Sequence, residues 1–199
     1  MAVITISRQL GSFGDQIAKD VADKLNYEYA DKLKIGEALA GHGFPAPEVE
    51  KYDEKKPAFW KSFSDQRKKF LHLIQAVIYD LAGKGNVVIV GRGGQVLLRD
   101  LPGTLRVRIV APDEIRSNRL MEQEGHGAKE AERILRQSDR DSSGYIESFF
   151  GADWDDQNLY DMVINTRTMS VGTATSLIID AISSPEFKGN IEELSLIHI

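Results

Sequence analysis

Four residues near the amino terminus, Gly11-Ser12-Phe13-Gly14, have the composition of a tight bend that could bind an anion. They follow the apolar run 3–7 and precede an amphipathic helical pattern that begins at Asp15. A strand, a glycine bend and a helix in this order present backbone N–H groups at a helix start, which is a common way to hold a phosphate. The alternative is a purely structural turn. No lysine completes the bend, so the form G-x-x-x-x-G-K-[ST] is not met.

Two arginines stand where a side chain could reach a phosphate beside this bend. Arg8 follows the apolar run 3–7, and Arg92 stands among glycines after the apolar run 87–90. If both runs are parallel strands, their carboxyl ends meet at one edge of the sheet, where ligands of such sheets bind. A guanidinium is always charged and binds phosphate in a bidentate way, so Arg8 is a reasonable replacement for the missing lysine.

Further arginines recur at helical spacing in the second half of the chain. Arg116 and Arg119 are three residues apart and share one helix face. A second stripe, with spacings of three and four, consists of Arg133, Arg136 and Arg140. Such arginines could close over a transferred phosphoryl group, whose charge is spread over its equatorial oxygens. The alternative is a set of surface salt bridges with nearby glutamates, which stabilise little.

Strand and helix patterns alternate along the chain, which predicts an α/β fold. Apolar, β-branched runs predict strands at 3–7, 87–90, 105–110 and 162–165, and a weaker run predicts a fifth at 27–30. Because helical patterns separate these runs, we expect a parallel five-stranded sheet with helices on both faces. We expect one domain over 1–182, with an insert at about 31–85, a lid at about 113–150 and an appended or poorly ordered tail at 183–199.

The helical patterns differ in how much apolar surface they carry. One has a buried stripe between Phe70 and Leu81. A pair of helices, starting near 113 and 128, is charged on most faces, so we expect it to lie over a site rather than in the core, anchored by Phe149 and Phe150. Prolines interrupt the segment 42–63, which we expect to be a mobile insert. Trp60 in this insert could pack against a base, but we expect it to pack locally.

Composition limits the classes of partner. The net charge of −5 and a pI of about 5.4 argue against broad nucleic-acid binding. The chain has no cysteine, so it has no disulfide framework or thiolate metal site. Its four histidines show no ligand spacing. No apolar run reaches membrane-spanning length, and no signal peptide is recognisable, so we expect a cytoplasmic protein that binds small molecules and no membrane.

The motifs together resemble the cytidylate kinase-like family, a divergent branch of the P-loop nucleoside monophosphate kinases. The resemblance covers roughly 2–182 and is carried by three stretches: Ile4-Thr5-Ile6-Ser7-Arg8-Gln9-Leu10-Gly11-Ser12-Phe13-Gly14, Val88-Ile89-Val90-Gly91-Arg92-Gly93-Gly94 and Arg116-Ser117-Asn118-Arg119-Leu120. It implies a three-layer P-loop NTPase-like fold with a nucleoside-monophosphate-binding insert and a helical lid. It also implies transfer of the ATP γ-phosphoryl group to a nucleoside monophosphate, CMP or dCMP foremost, with Mg²⁺ accompanying ATP.

The resemblance also implies roles for individual residues. The catalytic cations would be Arg8, Arg116 and Arg119. The nucleotide phosphates would be bound by Gly11, Ser12, Phe13, Gly14, Asp15 and Gln16. The acceptor would be bound by Asp31, Arg92, Arg136, Arg140 and Asp141. For Asp31 a structural role as the N-cap of the following helix is an equal alternative.

Departures from an ordinary cytidylate kinase fall on the positions that hold phosphate and metal. The lysine position is Gly14, the magnesium-binding hydroxyl position is Gln16, and the first loop glycine is Arg8. Two aspartates around the glycine-arginine pair are replaced by Val90 and Gly93, so no metal ligand is assigned. Two other functions therefore stay open: a non-catalytic nucleotide- or phosphate-binding module, and a kinase for another small acceptor.

Overall fold

The computed structural model describes residues 2–44 and 65–187. Its strands are β1 (Val3–Arg8), β2 (Glu28–Ala30), β3 (Val87–Val90), β4 (Thr104–Val110) and β5 (Met162–Asn165). They form a five-stranded sheet of order β2-β3-β1-β4-β5, and every neighbouring pair is parallel. The predicted α/β fold is confirmed, with strand limits within one residue of those expected.

Helices cover both faces of the sheet. They are α1 (Gly14–Leu25), α2 (Lys32–Gly41), α3 (Asp65–Lys84), α4 (Gly94–Leu97), α5 (Asp113–Glu124), α6 (Ala128–Phe150) and α7 (Val171–Ile182), with 3₁₀ turns at Gln157–Leu159 and Pro185–Phe187. One layer of the core packs α3 and α6 on the sheet, and the other packs α1 and α7. Because β1 is buried on both faces, its consecutive residues Val3 and Ile4 belong to opposite layers of the core.

Helix α6 is only partly the exposed lid element that its charge pattern predicts. It runs to Phe150 and ends at Gly151, whose φ of 63° is the left-handed conformation common after a helix. Its second half is core: Tyr145, Ile146 and Phe149 are buried against α3. The expected anchoring by Phe149 is confirmed, but the expectation that the hairpin stays outside the core is wrong for this half, because the apolar residues are concentrated after Asp141.

Several sequence predictions fall outside the described residues. These include most of the predicted mobile insert with Trp60 and Phe63, and the tail beyond 187. Phe44, just before that gap, is buried against Phe70 with ring centroids 5.6 Å apart. Within residues 2–44 and 65–187, no helix combines the length and apolarity needed to cross a bilayer.

Candidate active site

A narrow cleft opens at the carboxyl ends of β1 and β3. Its lining includes Ser7, Arg8, Arg92, Gln95, Ser142 and Trp154. Arg8 is the last residue of β1, and Arg92 lies in the turn after β3, which pairs with β1. The structure therefore brings together the two arginines whose positions after strands suggested phosphate binding. We call this feature the arginine cleft.

The turn that carries Arg92 has an unusual backbone. Gly91, Arg92 and Gly93 have φ values of 70°, 57° and 75°, so three consecutive residues are left-handed. This conformation is unfavourable for arginine, at a cost of about 1–3 kcal/mol, and such costs often occur at functional sites. The Arg92 residue is 3% exposed. A Cβ on Gly93 would overlap the ring of Phe150, so the turn lies directly against α6.

Arg8 and Gly14 depend on each other sterically. A Cβ built on Gly14 would overlap Cβ and Cγ of Arg8, whose stem lies over this glycine. Lysine at position 14 and arginine at position 8 therefore cannot share this arrangement. The Arg8 Nε donates to Asp15 Oδ1 at 2.8 Å, which fixes the guanidinium beside the first turn of α1. Glycine in place of lysine at position 14 and arginine in place of glycine at position 8 are therefore sterically coupled substitutions.

The bend between β1 and α1 presents amides on one side. Gly11 and Phe13 are left-handed, with φ values of 76° and 62°. Among the described residues, no protein acceptor receives a hydrogen bond from the amides of Gly11 or Phe13, and no side chain caps α1. The buried Ser12 hydroxyl instead donates to Gln9 O at 2.6 Å. Backbone N–H groups, rather than the Ser12 side chain, are thus available for an anion.

Carbonyls on the other side of the bend are bonded by side chains from distant elements. Arg116 Nη1 donates to the carbonyl of residue 10 at 3.3 Å, and Arg119 Nη1 donates to that of residue 11 at 3.1 Å. Thr166 Oγ1 donates to the carbonyl of residue 12 at 2.9 Å. These carbonyls of the bend therefore point toward α5 and the end of β5.

Arg116 is a buried ion-pair residue. Its side chain is 1% exposed, and its guanidinium donates to Asp139 at 2.7 and 3.0 Å and also to Asp113. Burial alone lowers the pKa of Arg116, but the bonds to Asp139 and Asp113 outweigh it and raise that pKa. Four hydrogen bonds of the Arg116 guanidinium go to protein oxygens in this structure, so its contact with a transferred phosphoryl group stays a prediction.

Arg119 joins the bend to the end of β5. Its guanidinium lies 4.0 Å from the ring centroid of Phe13, and its Nη2 donates to Thr166 O at 2.6 Å. Burial lowers the pKa of Arg119. Contact of Arg119 with a transferred phosphoryl group stays a prediction, whereas its contact with the bend is observed.

The polar side chains predicted to bind the donor phosphates and the acceptor have different surroundings. Asp15 and Gln16 are exposed in the first turn of α1. Asp31 is the N-cap of α2 and accepts from the amides of Leu33 and Lys34 at 3.0 Å, so the structural alternative is present. Asp141 is 5% exposed and accepts from Gln137 Nε2 at 2.7 Å. Acceptor contacts by Asp31 and Asp141 stay predictions.

The other two predicted acceptor residues do not reach the arginine cleft. Arg136 is exposed and pairs with Glu132 at 3.5 Å, and exposed Arg140 donates to Gln137 at 2.9 Å. Neither lines the cleft. The predicted contact of Arg136 and Arg140 with the acceptor phosphate is thus not supported by this arrangement, because the helical phase of α6 turns them outward while Tyr145 on the same helix turns inward.

Residues that the sequence reasoning missed complete the site. Gln95 is 2% exposed, lines the arginine cleft, and makes no side-chain hydrogen bond to a described residue. Trp154 Nε1 donates to Ser7 Oγ at 2.8 Å, and the Arg108 guanidinium lies 4.2 Å from the Trp154 ring centroid. Thr166 follows β5 directly, so its place at a strand's carboxyl end was the available signal.

A sequence comparison decides the family. A profile described as the cytidylate kinase-like family matches residues 3–168. The chain belongs to the cytidylate kinase-like family. The resemblance carried by the bend, the Arg92 turn and the Arg116 helix is thereby confirmed, and a phosphotransferase of the nucleoside monophosphate kinase type is supported, with ATP and a divalent metal implied in general.

Named relatives are distant but match along most of their length. A cytidylate kinase of Pyrobaculum islandicum is 26% identical over 183 residues, which cover 92% of this chain and 93% of that protein. A cytidylate kinase of Pyrococcus horikoshii is 27% identical over 170 residues, covering 84% and 81%.

Solved structures support the fold. A protein titled uncharacterized, from Eubacterium ventriosum, has a TM-score of 0.74 at 24% identity and covers 92% of this chain and 99% of that one. Shikimate kinase from Acinetobacter baumannii has a TM-score of 0.52 at 16% identity, with coverage of 94% and 96%. At these identities the likeness concerns the fold alone.

The metal expected with ATP finds no dedicated protein site in the part of the chain that the structure describes. No group of three or more metal-binding side chains occurs in residues 2–44 and 65–187. Asp15, the carboxylate in the first turn of α1, is bonded to Arg8. These residues do not fit a resident metal centre. Mg²⁺ commonly enters kinase sites bound to substrate phosphates and several waters, so here it belongs with the nucleotide substrate.

Proposed function

We propose that the protein transfers the γ-phosphoryl group of MgATP to the phosphate of a nucleoside monophosphate, with CMP or dCMP as the favoured acceptor. The observation that carries the proposal is the placement of Arg8 and Arg92 in one cleft beside a bend whose carbonyls are bonded on the opposite side. The family match and the cytidylate kinases among its relatives support the acceptor class.

The bend and Arg8 form the proposed donor side. Amides of Gly11 and Phe13 and the uncapped start of α1 bind the ATP phosphates, since a helix N-terminus carries partial positive charge. Arg8 supplies the charge that a lysine supplies in other P-loops. Asp15 competes with phosphate for Arg8, so nucleotide binding requires the guanidinium to be shared or exchanged.

Arg92 and Gln95 form the proposed acceptor side. The buried Arg92 guanidinium binds the acceptor phosphate, and the Gln95 amide offers a donor and an acceptor to a polar group of the substrate. Asp31 and Asp141 are retained as proposed acceptor contacts on the strength of the family resemblance, with Asp141 positioned by Gln137. In this proposal the donor phosphates lie on the Arg8 side of the arginine cleft and the acceptor phosphate lies on the Arg92 side.

The proposed reaction needs no side-chain nucleophile. An oxygen of the acceptor phosphate forms a bond to the γ-phosphorus, the bond to the β–γ bridging oxygen breaks, and ADP leaves with that electron pair. Phosphoryl transfer depends mainly on alignment and on neutralisation of developing charge. Fixed guanidinium and amide groups provide both, because they need little reorganisation during reaction.

A non-catalytic phosphate-binding module is the second candidate. It is favoured by glycine at the lysine position and by the Arg8–Asp15 pair, which already satisfies part of the guanidinium. A kinase for a different small acceptor is the third, because the sequence of the insert at about 31–85 is unlike that of a standard cytidylate kinase insert.

A coupled assay of ADP release separates these functions. The protein is supplied with saturating MgATP and a panel of CMP, dCMP, other nucleoside monophosphates and small polyols. We expect turnover to be highest with CMP or dCMP. Turnover only with another acceptor would replace the acceptor assignment, while ATP binding measured by calorimetry without turnover on any acceptor would favour the binding module.

A further inference from the structure

The carbonyls of residues 10, 11 and 12 each accept a hydrogen bond from a side chain outside the bend, namely Arg116, Arg119 and Thr166. Arg116 has a separate structural role, because its buried guanidinium pairs with the partly exposed Asp139 and the exposed Asp113. The guanidinium of Arg119 bonds only to the bend and to Thr166 among the described residues. Thr166 also contacts the end of β4 through Val110 O, but the shorter contact of its hydroxyl is to the bend. They are therefore the informative pair.

The two residues are coupled by direct contact. Arg119 donates to Thr166 Oγ1 at 3.1 Å and to Thr166 O at 2.6 Å. Thr166 is 1% exposed, and its hydroxyl donates to the carbonyl of Ser12 at 2.9 Å. A hydroxyl has one proton, and Ser12 O at 2.9 Å is a nearer acceptor for it than Val110 O at 3.3 Å. The network thus has a defined direction, from Arg119 through Thr166 to the bend.

Peptide orientation links this network to anion binding. In each peptide unit the carbonyl and the N–H point in opposite directions, so fixing the carbonyls of residues 11 and 12 toward α5 and β5 directs the following N–H groups away from them. Those N–H groups belong to Ser12 and Phe13. The Ser12 amide donates to Gln9 O at 3.2 Å within the bend, so the Phe13 amide, which has no acceptor among the described residues, is the one offered to an anion. A rotated peptide would present a carbonyl to the phosphate instead, which would repel it.

We propose that Thr166 and Arg119 are positioning residues that hold the bend in its anion-binding form. The inference rests on the proposed function in so far as the anion is the triphosphate of ATP. It assigns to Arg119, from the base of the lid helix α5, an effect on donor binding exerted through the backbone of the bend. It also makes the residue after β5 a determinant of donor affinity.

Thr166→Val tests this assignment, because valine keeps the shape and removes the hydroxyl. Thr175→Val is the matched control: Thr175 is fully buried in α7, and its hydroxyl has no hydrogen-bond partner within residues 2–44 and 65–187. The full chain is titrated with inorganic tripolyphosphate and with MgATP by calorimetry. Steady-state KM values for ATP and for the acceptor, kcat and the thermal midpoint are measured on the same preparations.

We expect Thr166→Val to weaken tripolyphosphate binding and raise the KM for ATP by about 5- to 30-fold, the effect of leaving one buried carbonyl without its donor. The KM for the acceptor should stay within about twofold. Thr166→Ser should restore the ATP value, and Thr175→Val should match the wild type. A merely structural role would instead lower the thermal midpoint and the active fraction while leaving both KM values unchanged, and that result would overturn the proposal.

If Thr166→Val folds poorly, Arg119→Lys provides a second test of the positioning role through the same binding and KM measurements. A single ammonium cannot reproduce the fork that reaches both Gly11 O and Thr166 O, so donor affinity should again fall more than acceptor affinity. Wild-type protein that binds tripolyphosphate but turns over no acceptor would end the kinase proposal, while the Thr166→Val comparison would still decide the positioning role. Wild-type protein that binds neither tripolyphosphate nor ATP would overturn both.

Discussion

Arginines of similar helical spacing lie in opposite environments on α5 and α6. On α5, the Arg116 side chain is 1% exposed and Arg119 donates to the bend. On α6, Arg133 and Arg136 are 66% and 69% exposed and pair with glutamates of their own helix. Besides the pair of Arg116 with Asp113 in the same helix, the α5 arginines bond to groups that are distant in sequence, whereas the α6 arginines bond within one helical turn. A stripe of arginines therefore says little about function until its partner surface is known.

The difference has a physical origin in what each helix face meets. Helix α5 lies against the glycine bend, close enough that a Cβ on Gly11 would come within 3.0 Å of Arg116 Cβ. Backbone carbonyls there need donors that water cannot supply. The outer face of α6 meets solvent, where an ion pair gains little over hydration. Variants of the inward and outward arginines should therefore differ in both stability and activity.

Arg8→Ala should give the largest effect on activity. Arg8 lines the arginine cleft. Removing a fixed cationic hydrogen-bond donor from a phosphoryl-transfer site should lower kcat by about 10²- to 10³-fold. The stability effect should be small because the side chain is partly exposed. Stopped-flow or coupled ADP-release kinetics measures the change, with urea unfolding as the control. Turnover equal to that of the wild type would remove Arg8 from the mechanism.

Gly14→Ala offers an independent test of the same side chain. The added Cβ would displace Arg8 without removing its charge. It should therefore impair activity in the wild-type background and add little to Arg8→Ala, since the two changes act on one interaction. Additive losses would show that position 14 acts through something other than Arg8.

Arg116→Met should have the largest effect on stability. It removes the cation that Asp139 and Asp113 share beneath the bend. Breaking a buried ion pair from one side costs about 3–5 kcal/mol, and the partial exposure of Asp139 places the expected loss at the lower end, about 3 kcal/mol. Urea unfolding at neutral pH measures it. Adding Asp139→Asn should recover part of the loss, and no recovery would contradict the ion-pair explanation.

The sheet was predictable because every strand except β2 is a short run rich in β-branched residues and bounded by helical patterns. The central strands are buried on both faces, so their sequences are almost wholly apolar, as in Val87–Val90. The second half of α6 was harder to predict, because the many charged residues in the first half of the same helix dominate its pattern.

The candidate site was predictable only where a residue's place in the fold follows from a strand end. Arg8 and Arg92 were found in this way, since parallel strands bring their carboxyl ends together. Thr166 and Gln95 are single polar residues without a repeating pattern. The pairing of Arg116 with Asp139 could not be predicted from helical spacing, because Asp139 is 23 residues away on another helix.

Asp161→Asn should have an intermediate, pH-dependent effect at the opposite end of the sheet. Partial burial on its own raises the pKa of Asp161, but hydrogen bonds from Arg106 outweigh it and lower that pKa. A lowered folded-state pKa adds stability that is complete above the ordinary aspartate value of about 3.9 and is lost as pH falls through the lowered value. Urea unfolding should thus separate variant from wild type at pH 7 and progressively less in acid, with kcat unchanged. A gap that widens in acid would contradict the sign.

Arg133→Ala should have the smallest effect and tests the outward side of the comparison. Arg133 pairs with Glu130 at 2.7 Å on the exposed face of α6 and lies three residues away from Arg136. Solvent screens such a pair, and holding two long side chains together opposes its small Coulomb gain. The unfolding midpoint and kcat should both stay within error of the wild type, and KM for ATP should not move. A loss of turnover with unchanged stability would mean that the outer face of α6 contacts substrate in a closed state. The arginines of α5 and α6 would then both act in phosphoryl transfer.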